Sequence, residues 1–136
     1  MSSGKFAGPV WSLFRVVVGL LFACHGAASV LGWFGGHRGS GEALSVGSWP
    51  DWWAGLIQLV CGVLVLTGLA TRPAALLSSG SMAYAYFVVH QPNDLLPVSN
   101  GGVTPALYAW IFLTIAVLGA GPWSIDARLP TRRVAQ

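Results

Sequence analysis

The chain has 136 residues, of which 54% are apolar and 8% charged, with a net charge of +3. That balance argues against an ordinary water-soluble enzyme, whose surface carries far more charge. It also rules out a disordered chain, which is polar and poor in aromatics. One domain of an integral membrane protein is the class that remains.

A membrane-spanning helix needs about 20 mainly apolar residues. Four runs fit: residues 10–34, 53–70, 73–90 and 104–121. The first contains Leu21-Phe22-Ala23-Cys24, which loosely resembles a lipoprotein cleavage box. Phe before Ala is a poor fit, so the first span is expected to be retained. Residues 35–51 are rich in Gly and Ser and read as an exposed loop. Thr71-Arg72-Pro73 reads as a tight turn in which Pro opens the next helix. Residues 91–103 form a second loop, Pro122 closes the fourth helix, and residues 122–136 form a basic tail.

Orientation follows from the basic residues. Lys5, Arg72, Arg128, Arg132 and Arg133 fall at one set of helix ends, and Arg38 alone falls at the other. Trp11 and Trp123 mark the first boundary, and Trp33, Trp49, Trp52 and Trp53 the second, as in an aromatic belt. The expected fold is therefore all-α: an integral-membrane four-helix bundle over residues 1–136, multi-pass in the cell membrane, with both termini cytoplasmic. The basic residues form no dense patch, so nucleic acid is not an expected partner.

Ionisable residues inside spans are costly and by default mark function. Arg15 lies about 6 Å past Trp11 at 1.5 Å rise per residue. It reads as a snorkelling anchor or as one half of a structural ion pair with Asp126. His25 lies about 21 Å past Trp11 by the same arithmetic. Gln58, Tyr86, Tyr108 and Trp110 fall at a comparable depth on the other three runs. The bland reading is a hydrogen-bonded layer that holds the helices together. The functional one is a pocket for a quinone-like ring or a lipid, since His and Gln hydrogen-bond a carbonyl and Tyr and Trp pack a ring.

Other chemistry is weakly signalled. Cys24 and Cys61 lie near mid-membrane as a conceivable redox pair, although apolar surroundings disfavour a thiolate. His37, Glu42, His90 and Asp94 lie at the outer boundary without metal-ligand spacing, so no metal is expected. No nucleotide-binding glycine motif, nucleophile elbow or covalent-haem motif is present, and no catalytic residue is assigned. Gly19 with Gly26, Gly55 with Gly62, and Ala75, Ser79 and Ala83 make small-residue faces. Such faces serve either internal packing or a docking partner.

Three segments carry a family likeness. The first is Arg15, Val18-Gly19-Leu20-Leu21-Phe22, His25-Gly26 and Leu31-Gly32-Trp33-Phe34-Gly35. The second is Thr67-Gly68-Leu69-Ala70-Thr71-Arg72, and the third Gly119-Ala120-Gly121-Pro122-Trp123-Ser124-Ile125-Asp126. In this order they resemble the DoxX family of small bacterial four-helix membrane proteins. Ser29 departs from the pattern, since many members carry Lys after the His-Gly pair. The resemblance implies association with redox machinery: some relatives are linked to thiosulfate:quinone oxidoreduction, others to membrane assemblies that handle thiol stress.

The reading is a membrane subunit associated with a redox or respiratory complex, more an accessory than a catalyst. Its expected partners are the bilayer and other membrane or membrane-associated redox proteins. Its expected ligand is quinone-like or lipid, near His25, Gln58, Tyr86, Tyr108 and Trp110. The alternatives are a quinone-reducing oxidoreductase subunit and a purely structural scaffold.

Overall fold

A computed structural model describes residues 4–130. Helix α1 runs Gly4–Leu31, α2 Asp51–Thr67, α3 Thr71–Ala85, α4 Pro97–Asn100 and α5 Val103–Leu118. Helix α3 continues into a π turn, Tyr86–His90. The fold is all-α, with no strand among the described residues. By length and composition α1 is apolar enough to cross a membrane, and α2 and α5 are shorter apolar helices.

Helix ends depart from the expected spans in an instructive way. The fourth helix stops at Leu118, before Pro122, because Gly119 takes a positive φ of 87° that turns the chain out of the helix. The segment after it is no free tail. Residues 119–128 fold back over the helix ends and finish in a 3-10 turn, Asp126–Arg128. Arg132 and Arg133 lie outside the described residues.

Packing is closest between α1 and α2 and between α3 and α5, with α2 against α3 joining the pairs. The small-residue faces explain this. A Cβ on Gly19 would collide with the Leu66 backbone, and one on Gly26 with the Leu59 backbone. Gly62 meets Ala23 in the same way from the α2 side. On the other pair, Ser79 Oγ donates to Ala109 O at 2.7 Å. The glycine faces and Ser79 therefore pack the protein internally. Phe22 bridges the two pairs, 4.5 Å from the Phe112 ring and 5.2 Å from that of Tyr108.

Arg15 is fully buried, as are Ser12, Thr71 and Ser78, while Leu13, Val17, Leu76, Leu77 and Val117 are exposed. Among the described residues Arg15 and Asp126 make no direct contact of the expected ion pair, although the Arg15 charge acts on the Asp126 carboxylate. Arg15 Nε donates to Ala120 O at 2.7 Å, and its other nitrogens donate to Val65 O, Leu66 O and Trp123 O. The Asp126 carboxylate accepts from the Ala70 and Thr71 amides, each at 2.9 Å. Both side chains are occupied by backbone groups, which for Arg15 lie in the last turn of α2 and in the segment after α5, and for Asp126 at the start of α3. Arg72 does the same for α5, donating to Val117 O at 2.9 Å and Ala116 O at 3.2 Å. Trp11 Nε1 donates to Gly119 O, and the Trp123 amide donates to Ser12 Oγ.

Burial alone would push the Asp126 carboxyl up, but the Thr71 and Ala70 amides and the nearby Arg15 charge outweigh it. The carboxyl is held below the ordinary carboxylate range. A lowered folded value contributes stability above the ordinary value and loses it as pH falls through the lower one. We expect wild-type protein to lose stability on acidification from about pH 4 downward. Asp126→Asn should flatten that part of the pH profile of thermal unfolding, and an unchanged profile would refute the cap.

Two further outcomes test the packing in detergent-solubilised protein by thermal melts. Gly26→Ala should lose about 1–3 kcal/mol because two backbones must separate. Gly80→Ala should be neutral or gain up to about 1 kcal/mol, since a Cβ there meets nothing within 4 Å. Arg15→Lys has too few donors for four carbonyls. It should cost more than about 2 kcal/mol, because each buried unpaired acceptor costs about 1–3 kcal/mol.

Candidate functional site

The end opposite Arg15 contains a cavity of about 490 Å³. Helices α1 and α3 end there and α2 and α5 begin there, so all four contribute side chains. Its apolar wall comes from Phe22, Met82, Ala85, Val89 and the Tyr108 ring. Its polar groups are His25 and Ser29 from α1, Asp51 and Gln58 from α2, His90 from the π turn and Thr104 from α5.

The connection between α1 and α2 folds over this cavity. Gly41 N donates to Gly35 O at 2.7 Å and His37 N to Glu42 O at 2.9 Å, which closes a tight loop. The His37 ring shares a 2.9 Å hydrogen bond with Ser29 Oγ, pinning that loop to α1. Arg38 follows at its tip in the left-handed region, at φ 50° and ψ 32°. On the other side, the π turn brings His90 to the cavity, and π turns often occur where a helix must re-aim a functional side chain. His90 Nδ1 donates to Asn100 O at 3.1 Å. Asn100 is buried and holds its own loop, with Nδ2 donating to Asp94 O and Oδ1 accepting from Gly102 N.

The structure brings together three of the five residues expected at this depth. His25, Gln58 and Tyr108 line the cavity from α1, α2 and α5. Trp110 does not: it is 71% exposed. Residues two positions apart on a helix point about 200° away from each other, so Tyr108 and Trp110 cannot share a face. Tyr86 is also absent from the lining. Its hydroxyl accepts from Asn100 Nδ2 at 3.4 Å, and its ring packs against Gly102. Depth arithmetic sets a residue's height but not its direction around the helix axis.

The cavity also gathers residues that depth alone did not find. All three histidines of the chain line it. Of the boundary group, His37 and His90 reach it, while Glu42 and Asp94 are outside the lining. Among the described residues no three His, Cys, Asp or Glu side chains converge to hold a metal ion. The two cysteines are free thiols in different surroundings: Cys24 lines the cavity, whereas Cys61 is buried in the apolar core.

Hydrogen-bonding capacity here is largely unspent. Among the described residues, the Gln58 amide, the Tyr108 hydroxyl and the Arg38 guanidinium have no protein hydrogen-bond partner, yet all line the cavity. His25 Nδ1 donates to Leu21 O at 3.2 Å. In the neutral ring that leaves Nε2 as an acceptor. An apolar chamber with a few convergent polar groups is the usual form of a small-molecule site.

The DoxX family model matches residues 10–91, from α1 through the π turn. A Haemophilus influenzae protein, described only as an uncharacterized protein, is 36% identical over 119 residues, covering 82% of this chain and 84% of the relative. No solved structure matches the chain. With a match over more than half its length, running through Arg15, His25 and Arg72, the chain belongs to the DoxX family of membrane proteins.

Proposed function

We propose that this protein is a multi-pass subunit of the cell membrane that binds a lipid-soluble, quinone-like or lipid ligand and serves a redox or respiratory assembly. Its four long helices form a single bundle in the bilayer with both termini cytoplasmic. The observation that carries the ligand reading is the cavity of about 490 Å³ among those helices, with the unpartnered Gln58 and Tyr108 groups beside His25. The link to a redox assembly comes from the family resemblance.

The membrane reading is supported by the pattern of burial and exposure. The fully buried set joins Arg15, Ser12, Thr71 and Ser78 to Phe22, Val65, Phe112 and Ile115, while large apolar side chains are exposed on every long helix, such as Val17, Val60, Leu76 and Val117. Soluble monomers rarely expose such continuous apolar surface. At 1.5 Å per residue α2 and α5 are roughly 24–26 Å long, a little short of the hydrocarbon core. The connecting segments at their ends then sit at interface depth, where Trp33, Trp49 and Trp123 are exposed. Lys5, Arg72 and Arg128 share the Arg15 end, and this bias favours a cytoplasmic placement for it.

The accessory role is favoured over a catalytic one by the cysteines. A thiol pair acting on a bound quinone needs both sulfurs at the ligand, and Cys61 is 4% exposed within the apolar core. A pocket-free scaffold is disfavoured by the cavity itself.

The test is binding of a short-chain quinone to the protein in lipid nanodiscs. Wild type should bind. His25→Leu, Gln58→Leu and Tyr108→Phe should each weaken binding up to about tenfold, the value of one lost hydrogen bond of about 0.5–1.5 kcal/mol. Trp110→Ala should bind as wild type does. Absence of binding, or equal loss in Trp110→Ala, would sink the proposal.

A further inference from the structure

The cavity lining holds an arginine with no protein acceptor among the described residues, and from it we infer that its ligand is a single-chain amphiphile with an anionic head held by Arg38. This rests on reading the cavity as a ligand site and narrows the class of ligand.

Arg38 is exposed at the cavity, whereas Arg15 and Arg72 are committed elsewhere. Arg15 and Arg72 direct their donors at backbone carbonyls. Arg38 lines the cavity and has no acceptor among the described residues. Its placement is built: the 35–42 loop is closed by backbone hydrogen bonds, and the adjacent His37 ring is pinned to Ser29. One negative group, Asp51, also lines the cavity. It lies in the first turn of α2, where the helix dipole favours a carboxylate. The histidines His25, His37 and His90 add positive charge or none. The Arg38 guanidinium is thus the arginine of the lining that has no protein acceptor among the described residues. Its fork fits a carboxylate or phosphate through two parallel hydrogen bonds.

The rest of the lining sets the body of the ligand. Phe22, Met82, Ala85, Val89 and the Tyr108 ring offer an apolar surface below the rim. A volume of about 490 Å³ lies within the range of small-molecule sites, about 300–1,000 Å³. It suits one alkyl chain or ring system rather than a two-chain phospholipid. A molecule with an acidic head at Arg38 and an apolar body against Phe22 and Met82 fills both halves at once.

The experiment measures binding of dodecanoate and its neutral counterpart dodecanamide to protein in phosphatidylcholine nanodiscs. Dodecanoate should bind at least about tenfold more tightly, a difference of about 1.4 kcal/mol. Arg38→Gln should abolish the preference while leaving dodecanamide affinity intact, and Arg38→Lys should keep most of it. Equal affinities in wild type, or a preference that survives in Arg38→Gln, overturns the assignment. Loss of the preference in phosphatidylglycerol nanodiscs would assign the site to a phospholipid head and overturn the single-chain class. If neither dodecyl probe binds while the quinone does, the anionic-head inference falls and the cavity reading stands. If nothing binds, both fall.

Discussion

The structure depends on how helix ends are satisfied where water is scarce. Every helix leaves about four carbonyls and four amides without an internal partner. In an apolar surrounding each such group costs several kcal/mol. Arg15 is the central answer. Its guanidinium takes two carbonyls from the last turn of α2 and two from the 119–128 segment. A single buried cation thereby joins α1, α2 and the chain end. The positive charge also lies at the negative pole of the α2 dipole, which favours it.

Arg72 and Asp126 extend the same principle. Arg72 closes the C-terminus of α5, and Asp126 closes the N-terminus of α3 with a carboxylate, the sign a helix start prefers. The caps are long-range: Asp126 lies 56 residues from Ala70. Such links tie the α1/α2 pair to the α3/α5 pair at one end. Phe22, Phe112 and Tyr108 tie them at mid-height. At the other end the side-chain hydrogen bonds of the described residues pin loops to their own helices rather than joining the two pairs, and there the cavity opens. One end of the molecule is thus spent on holding the helices together, and the other is available to hold something else.

Much of this was legible in the residues. The four long helices overlap the four apolar runs, each starting and ending up to about six residues earlier. Arg15 and Asp126 were recognisable as structural residues at one end. Their direct pairing was not correct, because a charge pattern does not reveal that backbone carbonyls and amides compete for the same side chains. His25, Gln58 and Tyr108 were found by depth and do meet at one cavity. Trp110 and Tyr86 were chosen on the same ground and fall outside it, because rise per residue carries no information about direction. His37 and His90 were placed together at the outer boundary, but the 32–50 connection offered no periodicity from which to read the approach of Arg38 to the cavity.

By itself, then, the sequence determined the apolar runs, their order, the asymmetry of basic charge and the family. These follow from composition and local periodicity, which act over one or two helical turns. Tertiary structure alone decided which face of each helix turns inward. It decided that the glycines Gly19 and Gly26 serve α1 against α2, that Arg15 serves carbonyls, and that three histidines from three segments surround one chamber. Those outcomes depend on contacts between residues far apart along the chain, whose directions only the packed helices define.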